Sequence, residues 1–154
     1  MIILIIIILG LDQSTKFILN NNLVLNQANP VIKGVFYLTL VHNRGAAFGI
    51  LKNQLPLFIL TSIFAIILIY INLKKSAGNR KLSLNGLALG LILAGAIGNL
   101  IDRLVFGYVI DFLDFCVWPV FNVADSDITV GAILLGWSLF KEKNKKSPVE
   151  NKSQ

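Results

Sequence analysis

The stretch VIDFLDFCVWPVFNVADSD, Val109 to Asp127, sets four carboxylates among aromatic and aliphatic side chains. These acids are Asp111, Asp114, Asp125 and Asp127. An apolar run long enough to cross a membrane begins at about Ala124. Ionised carboxylates are costly to hold in apolar surroundings, and acids retained there usually serve a function. We therefore take this stretch as the centre of a candidate site. The alternative is a solvated loop whose acids have no role.

The composition indicates a membrane protein. Of the 154 residues, 55% are hydrophobic and only 14% are charged, and the mean hydropathy is +0.74. Long uncharged runs recur along the chain, as in transmembrane helices. We predict one domain, residues 1–141, of four transmembrane helices. The expected spans are about 1–19, 55–73, 84–104 and 124–140, and a basic tail follows at 142–154.

The positive charge is concentrated at one side of the predicted membrane. The net charge is +6, and most of the basic residues lie in two clusters that follow apolar runs. This distribution matches the positive-inside rule rather than a face that binds nucleic acid. Both termini are then cytoplasmic, and residues 20–54 and 105–123 lie outside. The clusters are Lys74, Lys75, Arg80 and Lys81, and Lys141, Lys143, Lys145, Lys146 and Lys152.

The two outer segments have different character. Val35–Val41 is rich in β-branched and aromatic residues and predicts a strand, and His42–Gly45 predicts a turn. With the orientation above, polar residues from separate segments reach one level near the outer boundary of the membrane. That convergence indicates a site there. The residues at this level are Asp12, Lys16, Asn99, Arg103 and Asp125, with Asn43 and Asp111 on the outer loops.

Two patterns within the helices predict packing. Asp12 and Lys16 are spaced i,i+4, so they can pair on one face of the first helix, either as a structural ion pair or with a chemical role. The third span carries Gly86, Gly90, Ala94 and Gly98 at four-residue steps, which gives a ridge for close helix packing. One chain can satisfy this ridge, so we expect a monomer.

The residue types limit the chemistry. Cys116 and His42 are the only residues of their kind, which excludes an internal disulfide, a thiolate cluster and a histidine-rich metal site. We interpret Cys116 as a packing residue and His42 as a loop residue. Two carboxyls in a partly dry site share one proton, so that one activates water and the other polarises a carbonyl. This aspartic-protease chemistry needs neither metal nor cofactor.

The residues alone favour Asp111 with Asp125 only modestly. Asp125 opens the fourth helix, where the helix dipole favours a carboxylate, but Asp114 and Asp127 remain alternatives. Five motifs then make the chain resemble the lipoprotein signal peptidase (signal peptidase II) family from about residue 12 to 136. They are Asp12-Gln-Ser-Thr-Lys16, Asn43-Arg-Gly-Ala-Ala-Phe48, Ala94-Gly-Ala-Ile-Gly-Asn-Leu-Ile-Asp-Arg103, Val109-Ile-Asp-Phe112 and Phe121-Asn-Val-Ala-Asp125.

The resemblance implies a fold, a reaction and a set of roles. The fold is four transmembrane helices with a small extracytoplasmic β-cradle, in the bacterial cytoplasmic (inner) membrane. The reaction is hydrolysis of the bond before a diacylglyceryl-modified cysteine of a prolipoprotein. Asp111 and Asp125 are implied as the catalytic dyad. The implied substrate-binding residues are Asn43, Asn99, Arg103 and Asn122, with Asp12 and Lys16 as structural support.

Two features differ from the family, and two other functions compete. The sequence starts within the first helix, without the short basic lead common in the family. Asp111 and Asp125 are only 14 positions apart, where the family usually has a longer insertion, so a tight outer loop is expected. One competing function is a small proton- or ion-coupled transporter with the membrane charges as a relay. The other is a non-enzymatic scaffold whose glycine ridge binds a partner helix. The expected partners are lipid-modified prolipoproteins and membrane lipids, not nucleic acid.

Overall fold

Four long helices and a three-stranded sheet make up the part of the chain that the structure describes. A computed structural model describes residues 1–45, 54–76 and 83–146. Each helix is long and apolar enough to cross a membrane, which confirms the predicted four spans with a small sheet. The helices are α1 (Ile2–Asn22), α2 (Leu55–Ser76), α3 (Leu84–Phe106) and α4 (Val123–Lys146). The strands are β1 (Ala28–Ile32), β2 (Phe36–Asn43) and β3 (Val109–Asp114).

Some sequence predictions concern residues outside the described ranges. They are Ala46–Phe48 of the second motif, Arg80 and Lys81 of the first basic cluster, and residues 147–154 of the predicted tail with Lys152. The first residues of that predicted tail continue α4, which ends at Lys146.

Helix α3 is the centre of the bundle, because small residues on two of its faces admit close neighbours. Gly86 and Gly90 lie against Met1, and Gly98 lies against Asp12, so α1 runs parallel to α3. Gly95 lies against the start of α4, and Gly131 of α4 lies against Ala88, so α4 runs antiparallel. The predicted glycine ridge therefore packs against a helix of the same chain.

Replacing Gly95 with alanine tests the contact between α3 and α4. The added Cβ would meet the main-chain oxygen of Ala124, and Cγ1 of Ile128 would be 2.8 Å away. Because a main-chain atom cannot rotate away, we expect a loss of about 1–3 kcal/mol in the free energy of unfolding. Gly136→Ala on α4 is the matched control, since no atom of another described element lies within 4 Å of its added Cβ. Thermal unfolding in detergent measures both, and equal midpoints would contradict this packing.

The sheet lies beside the helices and does not extend beyond their ends. Gly107 takes the left-handed conformation, φ 77°, and reverses the chain after α3. β3 then returns along α3, and the Ile110 amide donates to the Asp102 carboxylate at 3.1 Å. Farther along β3, Leu113 pairs with Phe121, two residues before α4 begins.

The start of α4 lies well below the end of α3. The Ala124 amide donates to Asp12 at 2.9 Å, and Asp12 itself lies against Gly98. From Gly98 to Phe106, the last residue of α3, the helix rises about 12 Å at 1.5 Å per residue. Helix α3 has 23 residues, so it is about 35 Å long, close to the thickness of the hydrocarbon core. The end of β3 near α4 therefore lies beside α3 and not beyond its end.

The described residues form three strands, whereas the sequence predicted one, which corresponds to β2. The order is β1-β2-β3, all antiparallel, with Asn43 opposite Val109 and Val41 opposite Asp111. The predicted turn at His42–Gly45 is wrong for its first two residues, because His42 and Asn43 pair with β3 and extend β2. Asp111 likewise lies on a strand, not in a loop. β3 was not predicted because its two aspartates are poor strand formers, and its pairing with β2 overrides that preference.

The structure also corrects the interpretation of the single cysteine and the single histidine. Cys116 is exposed and has a positive φ of 65°, so it is not a packing residue. Its amide donates to the Asp114 carboxylate at 2.9 Å, which holds this tight turn after β3. His42 is not in a loop: its Nε2 lies 3.0 Å from Oδ1 of Asn20, and its ring stacks on Tyr108 at 4.0 Å. It therefore ties β2 to α1 and to the turn between α3 and β3.

Candidate active site

A buried cluster of three charged residues lies next to the site. Lys16 Nζ is 2.9 Å from Asp12 and 3.0 Å from Asp102, and all three side chains are at most 2% exposed. The predicted Asp12–Lys16 pair is present, and Asp102 is a second partner that the sequence did not assign. A lone buried ion would be costly, and here each carboxylate is both paired and hydrogen-bonded.

This cluster positions the elements that carry the site. Asp12 accepts the Ala124 amide and so fixes the start of α4, while Asp102 accepts the Ile110 amide and so fixes β3. Gln13 Nε2 donates to both carboxylates at 3.1 Å. No sequence pattern singled out Gln13 except its place in the first motif, between the two ions of the predicted pair.

Asp125 is held by a reciprocal cap at the start of α4. Asn122 Oδ1 accepts the Asp125 amide at 2.8 Å, and the Asn122 amide donates to Asp125 Oδ2 at 3.3 Å. This is the capping-box arrangement, in which the first and fourth residues satisfy each other's main chain. The carboxylate therefore lies in the first turn of α4, where the helix dipole stabilises negative charge.

Three asparagines hold the carboxylates of Asp111 and Asp125. Asn122 Nδ2 donates to Asp111 Oδ1 at 2.7 Å, and Asn43 Nδ2 donates to Asp111 Oδ2 at 2.9 Å. Asn99 Nδ2 donates to Asp125 Oδ1 at 2.8 Å. Asn99 Oδ1 in turn accepts from Asn122 Nδ2 at 3.1 Å and from Lys16 Nζ at 3.0 Å. The two acids thus belong to one hydrogen-bonded network that ends on the buried ions.

Both acids line one cavity of about 260 Å³. Its polar wall also contains three predicted substrate-binding residues, whereas the fourth, Asn122, is fully buried behind the wall. Asp114 and Asp127, the alternative acids, do not line it; Asp114 accepts from Thr39 Oγ1 at 2.7 Å instead. The lining residues are Asn43, Gly45, Asn99, Arg103, Val109, Asp111, Trp118, Pro119, Val120, Phe121, Asp125, Ile128 and Thr129.

Arg103 connects the cavity to α2. Its guanidinium lies over the Phe58 ring, 5.2 Å from the centroid, and its Nη1 is 3.4 Å from the Asn99 carbonyl oxygen. The cation is therefore held in the wall near the acids by a ring contact and a weak hydrogen bond. α2 contributes to the site through this contact.

The electrostatics of the cavity favour a neutral Asp111. Burial, followed by the negative charge of Asp125, raises the pKa of Asp111 to about 7. The hydrogen bonds from Asn43 and Asn122 and the charge of Lys16 act in the opposite direction. Such a site can hold one proton on two acids. Within the described ranges, no three His, Cys, Asp or Glu side chains converge as metal ligands would.

Helices that cross a membrane, with a small sheet beside a buried polar cavity, define a membrane enzyme, and solved structures share this fold. One, described as a bacterial membrane enzyme, has a TM-score of 0.88 and 34% identity, and covers 98% of this chain and 93% of its own. A second has a TM-score of 0.81 and 33% identity, covering 91% and 92%.

The family follows from the sequence comparisons. The model for signal peptidase (SPase) II matches residues 4–141. The lipoprotein signal peptidase of Halothermothrix orenii is 45% identical over 141 residues, 92% of this chain and 95% of that protein. The chain belongs to the signal peptidase II family, which confirms the resemblance drawn from the five motifs. Its function is accordingly that of a lipoprotein signal peptidase, a multi-pass protease of a bacterial membrane.

Proposed function

We propose that Asp111 and Asp125 are the catalytic dyad of an aspartic endopeptidase. The observation that carries this proposal is their arrangement: two acids from different elements line one cavity, and asparagine amides fix both. Of the four acids between Val109 and Asp127, these two alone line it. A pair of acids in a confined polar site is the arrangement that shares a single proton.

In the proposed reaction the two acids have different roles. Asp125, at the start of α4, is the carboxylate and takes a proton from water as the oxygen attacks the scissile carbonyl carbon. Asp111, the neutral acid, donates a hydrogen bond to the carbonyl oxygen. As the C–N bond breaks, the Asp111 proton passes to the leaving nitrogen. The remaining proton on Asp125 then moves to Asp111, which restores the starting state.

The position of the cavity suits a lipid-anchored substrate. The start of α4 lies about 12 Å below the end of α3, so the dyad lies within the outer part of the predicted span, beside the acyl chains. We propose that the cleaved bond precedes the diacylglyceryl-modified cysteine of a prolipoprotein. Its acyl chains then stay in the bilayer and supply binding energy away from the reacting bond. Asn43, Asn99 and Arg103 line the cavity and are proposed to hold the substrate backbone. Asn122, predicted as a fourth contact, is fully buried and is proposed to act by positioning Asp111 and Asp125.

The charge distribution supports one orientation. Lys74 at the end of α2 and Lys141 at the end of α4 lie at the bundle end away from the sheet. By the positive-inside rule we propose that this end, with both termini, is cytoplasmic and that the dyad faces the extracytoplasmic side. The chain is proposed to act as a monomer, since its own helices cover the glycine ridge.

Purified protein in detergent with a defined prolipoprotein tests the function. The matched substrates are the same prolipoprotein with and without the diacylglyceryl group. We expect cleavage of the lipidated form immediately before the modified cysteine, at an unchanged rate in the presence of a metal chelator. Equal cleavage of both forms would contradict the proposed substrate. Chelator-sensitive cleavage would contradict the proposed chemistry.

The pH dependence tests the assignment of the proton. Because the pKa of Asp111 is raised to about 7, its acid form is lost as the pH rises through 7, and the rate should then fall about tenfold per pH unit. The Asn43 hydrogen bond lowers this pKa, so Asn43→Ala should move the fall to higher pH. Asn29→Ala, on β1 and bonded to the Leu38 carbonyl, is the control. A shift to lower pH in Asn43→Ala would contradict the assignment.

A further inference from the structure

An exposed apolar surface lies at one end of the sheet, at the β1–β2 turn and the C-terminal end of β3. It consists of the β1–β2 hairpin, residues 31–35, and the segment after β3, residues 115–118; we call it the sheet tip. Val117 is 92% exposed and Trp118 61%, and Val31, Ile32 and Val35 are each more than half exposed. Large contiguous apolar surfaces on a protein mark a site of interaction with lipid or another molecule.

The two parts of the sheet tip form one structure. The Phe36 and Phe115 rings lie 4.9 Å apart, which joins the hairpin to the segment after β3. Phe115 also stacks on Phe121 at 5.9 Å, and Phe121 lines the cavity. The hairpin turn is closed by the Val35 amide, 2.9 Å from the Ile32 oxygen, with Gly34 at a φ of 82°. The apolar side chains are therefore presented by an ordered surface.

We propose that the sheet tip inserts into the interfacial layer of the same bilayer that the helices cross. The first reason is its level. Phe121 precedes α4 by two residues, and the start of α4 lies about 12 Å below the end of α3. Phe115 packs on Phe121, so the tip extends from this level and not from the helix ends.

The residue types are those of a membrane interface. The tip combines aliphatic side chains with one tryptophan, Trp118, and one lysine, Lys33, and it contains no acid. Tryptophan is enriched at the headgroup level, and a lysine there reaches anionic phosphates while its stem stays in apolar surroundings. A face that binds a soluble partner has no need to lie at this level.

The backbone limits how deep the tip can lie. β1 is an edge strand, because the order β1-β2-β3 leaves one of its sides without a neighbouring strand among the described residues. Unpaired strand edges are not tolerated in the hydrocarbon core, where no water is available to bond them. Insertion therefore stops at the headgroup and ester level, where water remains. This depth keeps the cavity, which adjoins Phe121, beside the acyl chains and open to water.

The native Cys116 makes this proposal directly testable. It is exposed, lies in the tip and is the only cysteine, so a nitroxide can be attached without removing another thiol. In vesicles that contain anionic lipid, we expect the label to collide with oxygen more than with a water-soluble nickel chelate. Two reference variants, each in a Cys116→Ser background, give the accessibilities of known environments. Asn21→Cys at the end of α1 places the label on the aqueous side, and Phe64→Cys on the exposed face of α2 places it in lipid.

A second measurement separates the possible occupants of the tip. In Trp137→Phe, Trp118 is the remaining tryptophan, and lipids brominated near the ester group should quench its fluorescence more than lipids brominated near the chain end. We expect this without substrate and at every protein-to-lipid ratio. Quenching or label protection that appears only with lipidated substrate would make the tip a substrate site. Protection only at high protein density would make it a contact between copies. Either result, or a label as accessible to nickel as Asn21→Cys, overturns the proposal, which does not depend on the catalytic dyad.

Discussion

Asp111→Asn and Asp125→Asn are each expected to lower the cleavage rate by about 10²–10⁴-fold, the usual contribution of a positioned acid or base. Asparagine keeps the shape of the side chain, and its single oxygen can still accept one of the two hydrogen bonds that each carboxylate receives, so the fold should be retained. It can neither take a proton from water nor give one to the leaving nitrogen. Initial rates on a lipidated prolipoprotein measure the effect, and unfolding midpoints check that the variants are folded.

Asp114→Asn is the matched control for Asp111. It makes the same chemical change on the same strand, three residues away, outside the cavity. Its oxygen can still accept from Thr39, so a rate within about twofold of the parent is expected, as for a substitution away from reacting atoms. If Asp111→Asn and Asp114→Asn were equally active, the dyad would be refuted. If both were inactive but folded, the effect would belong to β3 as a whole.

Lys16→Met is expected to cost about 3–5 kcal/mol in the free energy of unfolding, because it removes one partner from a buried ionic cluster. The two carboxylates of Asp12 and Asp102 would remain buried with like charge, and no other basic residue in the described ranges pairs with them. The same residues hold the start of α4 and β3, so the dyad should also lose its geometry. Thermal or denaturant unfolding in detergent measures the loss.

Two further variants show whether charge is the cause. Lys141→Met, at the exposed end of α4, removes an equal charge and should change stability by less than about 1 kcal/mol. Adding Asp12→Asn and Asp102→Asn to Lys16→Met neutralises the cluster. The side-chain oxygens of the new asparagines can still accept hydrogen bonds from the main-chain N–H groups of Ala124 and Ile110. This triple variant should regain part of the lost stability. A single Lys16→Met variant as stable as the parent would contradict the role of the cluster.

Periodic and positional patterns in the sequence predicted much of the architecture. Apolar runs predicted four spans, because a helix that crosses lipid must be apolar over its whole length. The i,i+4 spacing of Asp12 and Lys16 predicted their pairing, and the four-residue glycine steps predicted a packing face. Each prediction depends on residues close together in one helix, where geometry follows directly from spacing.

Relations between distant segments were not accessible in this way. Asp102 as a partner of Lys16, Gln13 as a donor to both acids and the pairing of β3 with β2 all join elements far apart in the chain. The residues between 109 and 127 left Asp114 and Asp127 as alternatives, and the family motifs selected Asp111 and Asp125. That these two line one cavity is visible only in the fold.

Spacing along the chain thus specified which residues are apolar, which pair within a helix and which class of chemistry the acids allow. Three-dimensional packing specified which acids share a cavity and which amides hold them. The physical reason is that a buried charge is stable only where several elements meet to bond it. These contacts form only when α1, α3, β3 and α4 pack together. The sequence of any one segment therefore does not show which acids share the cavity.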